Sequence, residues 1–197
     1  MDYIRIPLVL RTFQLATYVP LDPEEAAVRQ IIRLGYQPED VHHIILTHMH
    51  FDHCGGLPDF PDAIVHVFRK ELEAFNGLYR HWMDLAYVRR HAAHSPKFEL
   101  YDPGEEQWMG FDAVRIRVEP EMYLIPLHGH TVGHCGVVIR SETGWVFHLG
   151  DAAPAGFDRS FPAWMEQAVL GPHLVRLDDF RLSHPEIKIS TGHMLLE

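Results

Sequence analysis

The chain has 197 residues, enough for one domain with a substantial core and too few for two of ordinary size, so a single domain over 1–197 is expected. Its 17 basic and 27 acidic residues give a formal charge of −10, which repels phosphate backbones and anionic membranes and leaves no basic stripe for nucleic acid. No apolar run approaches the roughly 20 residues of a membrane helix, and with only two cysteines, Cys54 and Cys135, a disulfide scaffold is excluded and a cytoplasmic compartment is expected.

A first helix is expected over Pro23 to Leu34, with Asp22 as N-cap, Pro23 at the first position and Gly35 as terminator; Ala27, Val28, Ile31 and Ile32 would form its buried face. After the turn Gln37-Pro38-Glu39-Asp40, the branched run Val41 to Leu46 reads as a buried strand ending at Thr47. Further strands are predicted at Ile64 to Phe68, Ala113 to Val118, Met122 to Leu127, Cys135 to Arg140, Trp145 to Leu149 and Ile187 to Ser190. Helices are predicted at Lys70 to Phe75, Tyr79 to His91 and Pro172 to Leu182, which makes the pattern mixed α/β without repeats.

The chemistry concentrates where the first strand ends, in Thr47-His48-Met49-His50-Phe51-Asp52-His53. His48 and His50 are two residues apart, so an extended backbone points both imidazoles to one side, and Asp52 and His53 follow in the next turn. Sixteen histidines are several times the usual number for this length, and histidine is the commonest protein metal ligand.

This run resembles the His-x-His-x-Asp-His loop of the metallo-β-lactamase superfamily, and three further segments are similar to that family. These are Leu127-His128-Gly129-His130-Thr131-Val132-Gly133-His134, then Leu149-Gly150-Asp151, then Thr191-Gly192-His193. The resemblance runs from Pro23 to His193 and implies an αββα sandwich. Carried over residue by residue, it implies that His48, His50 and His130 hold one metal ion, that Asp52, His53 and His193 hold a second, and that Asp151 bridges them. A nitrogen-rich set with carboxylates suits two zinc ions, with iron or manganese as alternatives. The activity implied is hydrolysis, in which a hydroxide shared by two ions attacks the carbonyl of a small lactone, thioester, ester or amide, with Asp52 orienting it or taking up its proton. An iron-dependent oxidoreductase-like member and a non-catalytic copy are the alternatives.

The family's N-terminal strands and Asp-Thr-Gly-type turn have no counterpart in residues 1–21, so that part reads as shortened or rebuilt, leaving a sheet edge that a second subunit of a homo-oligomer could cover. Pro154 stands where the acyl-homoserine-lactone lactonases carry a tyrosine. His134 is expected to support the site by hydrogen bonding rather than to ligate, and His128 either lines the cleft or caps its strand. His148 reads as a core histidine, Cys54 and Cys135 as small buried residues, and Gly55 and Gly56 as structural. His42, His43, His66, His91, His94, His173 and His184 lack ligand spacing and are assigned to the surface or an interface. Phe75 to Tyr101, rich in aromatic residues and histidine, is either a core-packing helix or a lid in which Trp82 and Tyr87 form an apolar wall.

Overall fold

A computed structural model describes residues 22–78, 82–154, 156–157 and 163–193. The expectations for residues 1–21, for Tyr79 and His81, and for the side chain of Trp82 lie outside this set.

Asp22 caps the first turn as its carboxylate accepts from Glu24 N–H, and Pro23 to Glu25 form a 3₁₀ turn. Helix α1 then spans Ala27–Arg33. The two pieces are separate because Ala26 is extended, at φ −62° and ψ 139°. The expected buried face of α1 is corrected: Ile32 is 44% exposed and no residue of the helix is buried. Its apolar positions Ala27 and Ile31 instead line an open cleft beside the first strand.

Strands β1 (His43–Ile45), β2 (Ile64–Phe68) and β3 (Lys97–Tyr101) form one parallel sheet in that order. Between them lie the short helix α2 (Phe51–Cys54) and helix α3 (Arg69–Asn76). The second sheet is an antiparallel meander of β4 (Glu106–Trp108), β5 (Phe111–Ile116), β6 (Met122–Pro126), β7 (Cys135–Ser141) and β8 (Gly144–His148), closed by β9 (Lys188–Ser190), which runs parallel to β8. Helices α4 (Ala163–Leu170) and α5 (Leu174–Ser183) precede β9. Strands β3 and β4 and helix α4 had no counterpart in the sequence reading.

Alternation along the strands sorts the core into three layers, as period-two geometry requires. Val65 and Val67 of β2 face α3 and Tyr87, in a cluster with Leu46, Leu57 and Phe75. Phe68, on the other face, meets Ile116, Met122, Leu124 and Val137 of the second sheet. The outer face of that sheet buries Trp108, Phe111, Val138 and Phe147 against Leu174, Leu177 and Phe180 of α5. Helix, sheet, sheet and helix are therefore stacked, each interface held by burial of apolar area.

The helix expected over Tyr79 to His91 is also corrected. Its described part is two 3₁₀ segments, Trp82–Ala86 and Arg89–Ala92, broken where Val88 adopts φ −104° and ψ 87°. Tyr87 at this break turns inward and is 2% exposed, so it is core rather than a cleft wall.

Candidate metal centre

Both sheets deliver side chains to one rim. After β1, Thr47 leads into His48, Met49 and His50, and α2 begins at Phe51 with His50 as its N-cap residue. This turn presents Asp52 and His53, and Gly55 keeps it tight, since a Cβ there would stand 2.6 Å from Phe51 O. The β6–β7 loop supplies His130, the 3₁₀ turn after β8 supplies Asp151, and the loop after β9 supplies His193. Strand pairing brings the last two together, as Leu149 N–H donates to Ser190 O at 2.7 Å, Gly192 N–H to Gly150 O at 3.0 Å, and His193 N–H to Pro154 O at 3.0 Å.

The donor atoms fall into three groups, each within 4.8 Å: His48, His50 and His130; His48, His53 and Asp151; and Asp52, His53 and His193. Asp151 is the hub. Its Oδ2 lies 3.4 Å from the Nε2 of His53, of His130 and of His193. Asp52 Oδ2 stands 3.7 Å from His53 Nε2 and 3.9 Å from His193 Nε2. His48, His50, His130 and Asp151 are buried, whereas Asp52 and His193 are exposed, so the cluster opens to solvent on one side.

The electrostatics follow this gradient. Burial, together with neighbouring imidazoles, pushes His50 down to about 2 and lowers His48 and His130 from their ordinary value, which keeps their lone pairs free at neutral pH. On Asp151, burial pushes the carboxyl up, but the close imidazoles of His193 and His53 outweigh it and hold the group well below its ordinary value. His193 is raised in turn by its bond to Asp151; His53 is lowered by burial and raised, on balance, by the same carboxylate.

Among the described residues, His48 Nε2, His50 Nε2, His53 Nε2 and Asp151 Oδ1 are buried without a hydrogen-bond partner in the protein. Leaving one such atom unsatisfied costs about 1–3 kcal/mol, and four converging on one place is far from ordinary packing. Cations fit the set, because three imidazole nitrogens and a carboxylate oxygen are the donor types that zinc, iron and manganese share.

The surrounding groups fix the rings. His130 Nδ1 bonds Val169 O at 2.9 Å, leaving Nε2 turned to the cluster, 3.1 Å from His50 Nδ1. His134 uses both nitrogens elsewhere: Nδ1 bonds Leu127 O at 3.0 Å and Nε2 accepts from Asp151 N–H at 2.9 Å. It therefore has no lone pair for an ion and steadies the Asp151 turn. His128 caps its loop through His134 O at 3.1 Å, His148 bonds Ser190 Oγ at 3.0 Å, and both cysteines are buried with thiols pushed up by burial.

His66 corrects the surface assignment. It is 3% exposed, with Nε2 2.9 Å from His43 Nδ1 and Nδ1 2.8 Å from Tyr101 Oη. Sequence reasoning also missed Glu71, which is fully buried and accepts from the Tyr87 hydroxyl at 3.0 Å, and Val169, whose carbonyl orients His130. Burial raises the Glu71 carboxyl against the pull of four donors. A glutamate in the first turn of a polar helix carries no mark of such a role in the sequence.

A two-sheet sandwich with a histidine–aspartate cluster at one rim defines a class of metal-binding folds. Residues 21–196 match the family model described as the metallo-beta-lactamase superfamily, and the chain belongs to that superfamily. A protein of Mycobacterium tuberculosis named as a probable metallo-hydrolase is 41% identical over 130 residues, which are 65% of this chain and 42% of the relative. An N-acyl homoserine lactonase of Bacillus cereus is 30% identical over 144 residues, 72% of this chain and 51% of the relative. The chain thus spans about half the length of these curated relatives. Among solved structures, an N-acyl homoserine lactone hydrolase with N-hexanoyl-L-homoserine bound at its catalytic metal center shares the fold at TM-score 0.63 and 24% identity, covering 87% of this chain and 63% of that one. The dizinc quorum-quenching lactonase AidC does so at TM-score 0.59 and 18% identity, covering 84% and 62%.

Proposed function

We propose that the protein is a metal-dependent hydrolase that holds two ions, zinc first among the candidates, and cleaves a small substrate at a carbonyl. The observation that carries this reading is the hub geometry, with Asp151 Oδ2 3.4 Å from three histidine nitrogens while four neighbouring buried atoms lack partners. In this reading His48, His50 and His130 hold one ion, Asp52, His53 and His193 the other, and Asp151 both. A shared carboxylate offsets the repulsion between two dications. When bound, such a pair supplies Lewis acidity toward a carbonyl and an acidified water near neutral pH.

The chain's own residues divide the remaining work. Asp52, the more exposed of the two carboxylates, takes up and returns a proton at Oδ2. His193 and Asp52 flank the open side, where a substrate enters, while His134 holds the Asp151 backbone in place. A cleft of about 460 Å³ reaches Asp52 and His53, with Ala27, Ile31, Ile44, Leu57 and Phe60 on its apolar wall. That volume and polarity suit the acyl part of a small lactone, thioester, ester or amide. Relatives named lactonases support the lactone among these, and the formal charge of −10 disfavours nucleic-acid substrates.

The test is metal analysis of protein purified without added metal, followed by turnover on lactone, thioester, ester and β-lactam panels. About two equivalents of zinc are expected, with Asp52→Asn lowering kcat at least roughly 100-fold as a proton acceptor is lost. A chain that binds no metal ends the reading; one tightly held iron with oxygen consumption replaces hydrolysis by oxidoreduction, and bound metal without turnover on any panel marks a non-catalytic copy.

A further inference from the structure

We propose that Glu71 is a positioning residue that ties the His48–His50 loop to the His130 loop and so sets how tightly the three-histidine group holds its ion. This rests on the metal reading above and extends it to a residue outside the donor cluster. Glu71 stands in the first turn of α3 and is fully buried. Its Oε1 accepts from Met49 N–H at 2.8 Å and from the Tyr87 hydroxyl at 3.0 Å. Its Oε2 accepts from the Thr131 hydroxyl at 2.6 Å and from Gly133 N–H at 3.1 Å.

These partners are placed with consequence. Met49 separates His48 from His50, and Thr131 follows His130, so one carboxylate fixes the backbone beside all three nitrogens. A carboxylate offers about four acceptor sites and no donor, and here four donors meet it. The loop is also pressed onto the helix: a Cβ on Gly133 would stand 2.4 Å from Glu71 N and 2.6 Å from its Cα. Tyr87 adds a lateral brace, its ring centroid 5.1 Å from that of His50. Glutamine cannot replace this arrangement, because its amide group must face either Met49 N–H or Gly133 N–H, and a backbone donor cannot turn round.

Cobalt(II) serves as the probe, with affinity measured by chelator competition and geometry by the visible absorption of the first equivalent. Glu71→Gln is expected to weaken binding of that equivalent roughly 10- to 100-fold, the usual consequence of losing a group that orients ligands, and to change its absorption. Phe111→Leu, in the apolar layer between the second sheet and α5, supplies the control: it lowers Tm but keeps the wild-type affinity and spectrum. Equal affinity in Glu71→Gln and wild type, or an equal loss in both variants, overturns the proposal. Should Glu71→Gln fail to fold, Thr131→Val decides, since it deletes one donor at nearly constant volume; a several-fold weaker affinity supports the role and an unchanged one ends it. A wild-type chain that binds no cobalt defeats the metal reading itself, whereas wild-type binding with indifferent variants defeats only the role of Glu71.

Discussion

His66 shows how a single side chain couples the fold to pH. It lies between His43 and Tyr101 on the face of the first sheet turned toward the second, and burial, with the charge of His43, lowers it from its ordinary value, against a smaller pull from Glu99. The native state therefore favours the neutral ring, while the unfolded chain takes up the proton near pH 6.5. Stability contributed by the neutral ring is present above that pH and is lost as pH falls through it toward the lower native value. The stability gap between the wild type and a His66→Gln variant, read from urea unfolding, should shrink between pH 7.5 and 5.5. Parallel curves for the two proteins over that range would show that the ring does not titrate as described.

At the scale of elements, the proposed ligand residues are readable in the sequence because each group sits in a short local pattern at a strand end. His48, His50, Asp52 and His53 fall within six residues, and backbone pairing of β8 with β9 brings Asp151 and His193 together. What holds those patterns is not readable. Val169 is 39 residues from the ring it orients, and its helix α4 is apolar at most positions, so no stripe announces it. The face of α1 had the right periodicity, but periodicity does not say whether a neighbouring element arrives to cover it. Likewise the spacing in Tyr79 to His91 suggested a helix, and the inward turn of Tyr87 toward Glu71 broke it.

The approach of α4 to the His130 loop depends on two glycines. A Cβ on Gly129 would stand 2.4 Å from Gly171 Cα, and Gly171 itself has φ +87°. Gly129→Ala should therefore cost about 1–3 kcal/mol through overpacking, and it should loosen the Val169 bond to His130. Urea unfolding of the metal-stripped protein measures the first effect, and a weakened cobalt affinity the second. Wild-type values for both would mean that the loop has room the structure does not show.

For the whole molecule, the decisive relation is between the two sheets. They pack through Phe68, Ile116, Met122, Leu124 and Val137, and at the rim Cys135 N–H donates to Thr47 O at 2.9 Å. Four of the proposed ligands come from the half that holds the first sheet and three from the half that holds the second. Ions that bind only the folded chain stabilise it by about 4 kcal/mol at a thousandfold excess over Kd. Chelation should lower Tm accordingly, and an unchanged Tm would mean that the ions contribute nothing to folding.

The Thr47–Cys135 contact makes the site a seam, and ions placed there act as rivets between two plates rather than as ornaments on one. Loosening on metal removal should then be uneven. Amide exchange should rise first at Thr47 to His53 and Leu127 to His134, where the plates meet, while the middle strands of the meander, β6 and β7, stay closed.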